Sequence, residues 1–371
     1  MKCLAIDIGA GTQDIMIYDS NKNIENSIKL VLPSPSVIMV EKIKKINNNI
    51  YFDGEIMGGG KIKNAIIDKI KNGYKIAMET NPAKTVRDDL NQVKDIGIEI
   101  VNNTTKSNEN TKTNDNNKIN ENNKNKFSNY FKLTLKDFDL NEINETIAKY
   151  EINLNYEYVA IALQDHGYNE NMGDRDFRFE KIREKLNKPI AVEEFAFTKN
   201  IPEYFTRMKT VENKLKDIAD KKYIIMDSKF ASICGAMEDE YIKQFNSFVV
   251  LDIGNGHTMA TSIENGLIQG VFEHHTSMLK DETGETLTNL INKLVDGSLT
   301  HEEVHENYGH GAHVLNPISK LEKVIVTGPN RNLIENTAFD YYNAVPAGDV
   351  MMTGPVGLIK SIKYHETIKN L

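Results

Sequence analysis

An α/β protein of two lobes is the fold class the sequence predicts, and three observations carry it. An apolar strand ending in Asp-Ile-Gly-x-Gly and turning back into a second strand occurs twice, at Leu4–Thr12 and again at Val249–Thr258. Strand-like and helix-like segments alternate over most of the remaining chain. The chain has 371 residues, and at roughly 100–200 residues per domain that is room for two domains.

The elements follow in order. Residues 2–8 read as a buried strand and 13–19 as its hairpin partner, giving a mixed sheet. Lys61 to Asn72 has the apolar spacing of an amphipathic helix. Residues 102 to 126 are rich in Asn and Lys, with Ile119 as the one apolar side chain; nothing there repays the entropy of ordering, so a disordered surface insertion is expected. Glu157 to Leu163 is an apolar strand, Phe177 to Leu186 a helix, and Pro189 to Val192 the start of a strand. Tyr223 to Met226 is a strand leading into a small-residue helix, Phe230 to Met237. Phe248 to Ile253 and Thr258 to Ile263 form the second hairpin, Leu287 to Val295 a helix, and Val324 to Val326 a strand entering a Gly-Pro turn.

Composition removes several function classes. Lys and Arg number 45 and Asp and Glu 53, so 45 − 53 gives a net charge of −8, a poor balance for binding nucleic acid or an anionic membrane. No run of about 18 apolar residues is present, and an acid and a glycine, Asp7 and Gly9, interrupt the N-terminal apolar stretch where a signal peptide continues. A cytoplasmic protein is expected. Cys3 and Cys234 are too few and too far apart for a zinc knuckle or a cysteine-ligated iron–sulfur cluster within one chain, which excludes radical-SAM chemistry by this polypeptide alone.

The repeated turn suits a triphosphate. Glycines let backbone N–H groups close on phosphate oxygens, and Thr12 and Thr258 can add hydroxyl donors. An aspartate beside phosphate repels it unless a hydrated Mg²⁺ lies between, which is the place for Asp7 and Asp252. On these residues the chain resembles the actin, sugar kinase and Hsp70 ATPase superfamily. Asp7 to Thr12 match its first phosphate motif and Asp252 to Thr258 its second. Ile225 to Ala231 resembles the first connecting segment, and Val324 to Pro329 the adenosine motif, with Pro329 in place of a second glycine. Gly348 to Gly357 stands where the second connecting segment belongs, but with more polar and proline content.

The resemblance implies a two-lobed actin-like ATPase (ribonuclease H-like) fold with ATP and Mg²⁺ in the cleft. Lobe I would be 1–228, lobe II 229–353, and 354–371 would return to lobe I. Nucleotide would be held by Gly9, Gly11, Thr12, Gln13, Gly254, Asn255, Gly256, His257, Thr258, Thr327 and Gly328, and Mg²⁺ by Asp7 and Asp252 through water. More narrowly, Gln-Asp-His-Gly, Asp-Ile-Gly-Asn-Gly-His-Thr, Glu-His-His-Thr and Gly-His-Gly segments are similar to those of a largely archaeal family, sometimes labelled as related to pyruvate formate-lyase activating enzyme. The cysteine count contradicts that label.

Other constellations bear on the acceptor. Gln164, Asp165, His166 and Gly167 follow an apolar strand, where open α/β sheets bind ligands; alternatively Asp165 caps a turn. Arg87 could meet an anionic substrate or lie on a solvated helix start, and Gly58 to Gly60 could form an anion site or a plain loop. Seven of the nine histidines fall between His257 and His313. His301 to His305 spells HExxH, but Thr300 with Glu303 is a capping box and explains the acids without zinc. His274, His275 and His310 are candidates to bind an anionic substrate, shuttle protons or hold a metal. Asp227-Ser228 is similar to the pair that supplies the base in hexokinase-like members; otherwise Asp227 caps its helix and Asp165 is the next candidate for the catalytic base. A Mg²⁺-dependent small-molecule kinase or ATPase is expected. The alternatives are an ATP-driven switch for a partner protein and a nucleotide-binding protein without turnover.

Overall fold

The computed structural model describes residues 1–102, 126–152, 155–217 and 222–369. The expected disordered insertion lies almost wholly outside them. Contacts group the chain into two compact units, Met1–Leu32 with Asn153–Leu371, and Pro33–Ile152. The expected lobe boundary at residue 228 falls inside the first unit.

The first unit opens with β1 (Lys2–Ile8), β2 (Thr12–Asp19) and β3 (Ile28–Pro33). β1 is buried on both faces from Cys3 onward, because it lies mid-sheet, so it reads as a continuous apolar run rather than an alternating one. The second unit follows: α1 (Pro35–Lys45), β4 (Ile50–Gly54), α2 (Gly60–Lys71), β5 (Ile76–Glu79), α3 (Thr80–Lys84), α4 (Leu90–Asp95), β6 (Ile98–Val101), β7 (Phe131–Leu135) and α5 (Leu140–Ala148). Its four strands pair in parallel in the order β6-β5-β4-β7 over a core that includes Phe52, Ile62, Ile66 and Met78.

The chain then returns to the first unit with β8 (Tyr158–Leu163), α6 (Asp174–Lys185), α7 (Thr206–Lys216), β9 (Lys222–Met226) and α8 (Ser228–Ala236). β10 (Ser247–Ile253), β11 (His257–Glu264) and β12 (Leu267–His275) form a meander, followed by α9 (Glu285–Asp296), α10 (His301–Glu306), β13 (Gly311–Val314), β14 (Val324–Thr327), β15 (Tyr341–Asn343) and α11 (Thr353–Lys369). α9 buries Leu287, Leu290, Ile291 and Leu294 at helical spacing and stops at Gly297, whose φ of 84° is the left-handed conformation glycine tolerates. Pro189 to Val192 is not a strand as expected. Proline has no N–H to donate, and Ile190 accepts a backbone bond from Ile268 before the chain turns into a short 3₁₀ helix at Val192–Phe195.

The duplication extends well beyond the turns. One sheet runs β3-β2-β1-β8-β9 and the other β13-β12-β11-β10-β14-β15. With β13 set aside, the orders correspond strand for strand. In each, the first strand of the hairpin pairs antiparallel with its successor and parallel with the strand that returns later. The strand beyond that leads towards α8 in one half and α11 in the other. These two helices cross at glycines. A Cβ on Gly235 would overlap the carbonyl of Thr353, and one on Gly357 the carbonyl of Ala231. Among the described residues, no helix is long and apolar enough to cross a membrane.

Candidate functional site

The two Asp-Ile-Gly-x-Gly turns close with the same hydrogen bond. Gly9 N donates to the Thr12 carbonyl at 2.9 Å, and Gly254 N to the His257 carbonyl at 3.0 Å. Counting from these bonds, Thr12 corresponds to His257 and Gln13 to Thr258, one residue away from the pairing of threonines that the motifs suggest. Thr258 is fully buried; its hydroxyl donates to Thr276 Oγ1, which in turn donates to the Gly254 carbonyl, so it braces the turn from inside. The turns face each other: a Cβ on Gly11 would overlap the side-chain amide of Asn255. Gly256 has open space where its Cβ would be. Thr327 pairs with Asp252 in the β10–β14 ladder, and Gly328, at φ 93°, leaves no room for a Cβ beside the Asp252 carboxylate. Asn330, which sequence reasoning missed, donates to the Gly254 carbonyl at 3.0 Å.

Acids gather under the turns. Asp7 is buried and accepts a 2.7 Å bond from Ser228 Oγ. Burial pushes its carboxyl up to about 7; the Ser228 bond opposes this and the Asp252 charge adds to it. Asp14 faces Asp7 across the β1–β2 ladder. It is pushed up to about 8 by burial and then by the Asp7 charge, and its Oδ1 is buried with no hydrogen-bond partner among the described residues. Asp252 pairs with the buried Lys229 ammonium at 2.8 Å. Crowded oxygen donors with an orphaned carboxylate oxygen suit a hydrated divalent cation, so these residues fit Mg²⁺. Asp14 was legible as an acid inside an apolar strand, Thr12 to Asp19, but its register was not.

A second cluster lies at the carboxyl end of β8 and is organised by Arg178, which the sequence hides in a helix reading as charged and solvated. The guanidinium is 4% exposed. It forks onto both Asp227 oxygens at 2.8 and 3.2 Å, and its Nε donates to Glu273 at 2.5 Å. Gln164 Nε2 donates to the other Glu273 oxygen at 2.6 Å. Glu273 is fully buried; burial raises its pKa, but Arg178 and the neighbouring imidazoles outweigh that and hold it below the usual carboxylate range. Asp227 also accepts from Lys229 N at 3.0 Å as the N-cap of α8, so the capping reading accounts for real contacts. Asp165 accepts from the backbone N–H groups of Gly167, Arg207 and Met208 at 2.9 to 3.0 Å.

His166, His257 and His310 converge beside Glu273, and one ring nitrogen of each lies within 4.8 Å of the others. His275 joins the group, its ring 4.8 Å from that of His310. Burial lowers the pKa of His257 to about 3 and of His310 to about 4, and holds His166 well below its ordinary value, so these rings are neutral at pH 7. His274, the intervening residue on β12, lies instead against Gly309. His301 and His305 share Asp176, and Thr300 accepts from Glu303 N at 3.2 Å as an N-cap, while the Glu303 carboxylate pairs with Lys293 rather than reaching back to close the capping box. Arg87 is exposed and belongs to the second unit, as do Gly58 to Gly60. There Gly59 is packed against the Thr85 backbone and Gly58 N donates to Asp137 at 3.2 Å.

Beside Arg178 and Asp227 opens a pocket of about 280 Å³, walled by Phe195, Phe197, Tyr204 and Phe205, with Lys181 and Lys185 also lining it.

A family model described as "Putative pyruvate format-lyase activating enzyme (DUF1786)" matches residues 57–333, most of the chain and most of the site just described. The chain belongs to the DUF1786 family. No curated protein matches this family member in sequence. Among solved structures, it is similar to an activator of the 2-hydroxyisocaproyl-CoA dehydratase from Clostridium difficile with bound ADPNP, at 9% identity over 100% of this chain and 98% of that one, with a TM-score of 0.34. It is also similar to MreB5 of Spiroplasma citri bound to ADP, at 11% identity, 100% and 99% coverage and a TM-score of 0.38. A third is an inorganic polyphosphate/ATP-glucomannokinase from Arthrobacter sp. strain KM, at 11% identity, 98% and 99% coverage and a TM-score of 0.34. Scores this low leave function to the chain's own residues.

Proposed function

We propose that this DUF1786 protein binds ATP with Mg²⁺ across its two Asp-Ile-Gly-x-Gly turns and transfers the terminal phosphoryl group to a small molecule. The observation that carries the reading is the pair of turns. They close with the same hydrogen bond, meet at Gly11 and Asn255, and overlie the carboxylates of Asp7, Asp14 and Asp252. Backbone N–H groups on both turns would cradle phosphate oxygens from two sides. Mg²⁺, held by Asp7 and Asp252 through water, would neutralise phosphate charge. Lys229 would hold the Asp252 carboxylate in place.

Phosphoryl transfer rests mainly on positioning and charge stabilisation. The aromatic pocket beside Arg178 and Asp227 supports an acceptor site there. With both oxygens forked by Arg178, Asp227 serves first to hold the guanidinium; it would be free to meet an acceptor hydroxyl only if substrate draws Arg178 away. Radical-SAM activase chemistry has no support. Cys3 and Cys234, the only cysteines, are buried on β1 and α8, and burial raises both thiols.

The test is calorimetric titration of the purified chain with ATP and ADP, with and without Mg²⁺, followed by a metabolite screen for ATP-dependent phosphorylation. Mg²⁺-dependent binding that is weakened in Asp252→Asn, together with a phosphorylated product, is expected. Absence of nucleotide binding by the folded wild type would sink the proposal. Binding with hydrolysis and no acceptor would redirect it to an ATPase.

A further inference from the structure

We infer that His166, His257 and His310 form a binding site for a single first-row transition ion of the Zn²⁺ class, separate from the proposed Mg²⁺ position. The three side chains come from distant parts of the chain: the loop after β8, the first residue of β11, and the residue just before β13. Folding nevertheless brings one ring nitrogen of each within 4.8 Å of the others.

One pair already has the spacing of ligands around an ion. His166 Nε2 and His310 Nε2 are 3.1 Å apart. Two nitrogens each about 2.0–2.1 Å from a tetrahedral zinc stand about 3.3 Å apart. One hydrogen bond between neutral rings explains that pair alone, but not the third imidazole. Ring centroids of His257 lie 4.7 Å from His310 and 5.8 Å from His166, so His257 closes the triangle.

The surroundings fit as well. Imidazole donors select Zn²⁺ and its neighbours over Mg²⁺, whose preferred donors are oxygens. Arg178 and Gln164 hold both oxygens of the Glu273 carboxylate, so a buried negative charge stands near the three rings without being one of the ligands. Three protein ligands leave a fourth position for water or a substrate oxygen. His257 is also the residue whose carbonyl closes the second phosphate turn, so an ion here would tie that turn to the Gln164–Gly167 loop. The binding claim itself does not depend on nucleotide.

The experiment strips the full-length protein with a chelator and titrates it with Co²⁺, then with competing Zn²⁺, without nucleotide. The expected result is one ion per chain, with visible Co²⁺ absorption of low-coordinate type and no thiolate band. His257→Asn, His310→Gln and His166→Gln should each weaken binding by at least the ~10–100-fold seen for loss of an outer partner. His301→Gln and His305→Gln, on the HExxH helix, should leave it unchanged. No stoichiometric binding by folded wild type overturns the inference. So does binding that survives the three cluster variants, or that is lost only with His301 or His305. Because the wild-type titration decides alone, a variant that fails to fold does not rescue the claim.

Discussion

Arg178 illustrates how one side chain can set a local interior. Its guanidinium serves Asp227 and Glu273 together, and all three side chains are less than a tenth exposed. Such a group is worth little against a well-packed apolar alternative, yet removing one member leaves charge uncompensated in a dry place. Arg178→Met therefore should lower stability by about 3–5 kcal/mol in denaturant unfolding. Lys243→Met, which breaks an exposed pair with Glu240, should cost about 1 kcal/mol or less. Equal effects from the two would mean that water reaches the Arg178 cluster. The sequence could not announce this residue. Arg178 stands among Asp174, Arg175, Asp176 and Lys181, and its partners are 49 and 95 residues away.

Elements were legible where their pattern is local. Both hairpins, the small-residue helix after Asp227 and the amphipathic α9 could be read because strand, turn and cap lie within a few residues of each other. The parallel sheet of the second unit could not, since β5 and β6 have four residues each and their pairing is fixed by strands elsewhere. The helix crossing of α8 on α11 was not read from sequence: α8 was legible as a small-residue helix, while the polar and proline content around Thr353 and Pro355 obscured α11. Its glycines lead to a paired prediction. Gly357→Ala puts a Cβ into the Ala231 carbonyl, where backbone must move, and should destabilise by about 1–3 kcal/mol or more. Gly60→Ala, at the start of α2 with open space around it, should stabilise by about 0.4–1 kcal/mol. Thermal melts of both variants check this, and equal melting temperatures would contradict the close crossing.

For the molecule as a whole, the acids beneath the turns link global stability to pH and to cation. An ordinary Asp ionises near 3.8, whereas in the fold Asp7 ionises at about 7 and Asp14 at about 8. Between these limits the folded chain holds protons that the unfolded chain has released. Stability from this source is full below about 4 and is lost as pH rises through about 7 and then about 8. Other groups titrate over the same range, so the informative quantity is a difference. Asp14→Asn is neutral at every pH and cannot lose stability at that position. Its melting temperature relative to wild type should rise steadily between about pH 5 and pH 7 and level off above the Asp14 value of about 8. If, as proposed, Mg²⁺ binds the ionised acids of the folded state and not those of the unfolded one, it should recover wild-type stability at pH 9 by mass action. The same Mg²⁺ should do less for Asp14→Asn, which lacks the orphaned oxygen, and little for either protein at pH 5, where protons occupy the site. Curves that run parallel across the whole range, with no cation effect, would show that these carboxylates are solvated and not gathered to hold an ion.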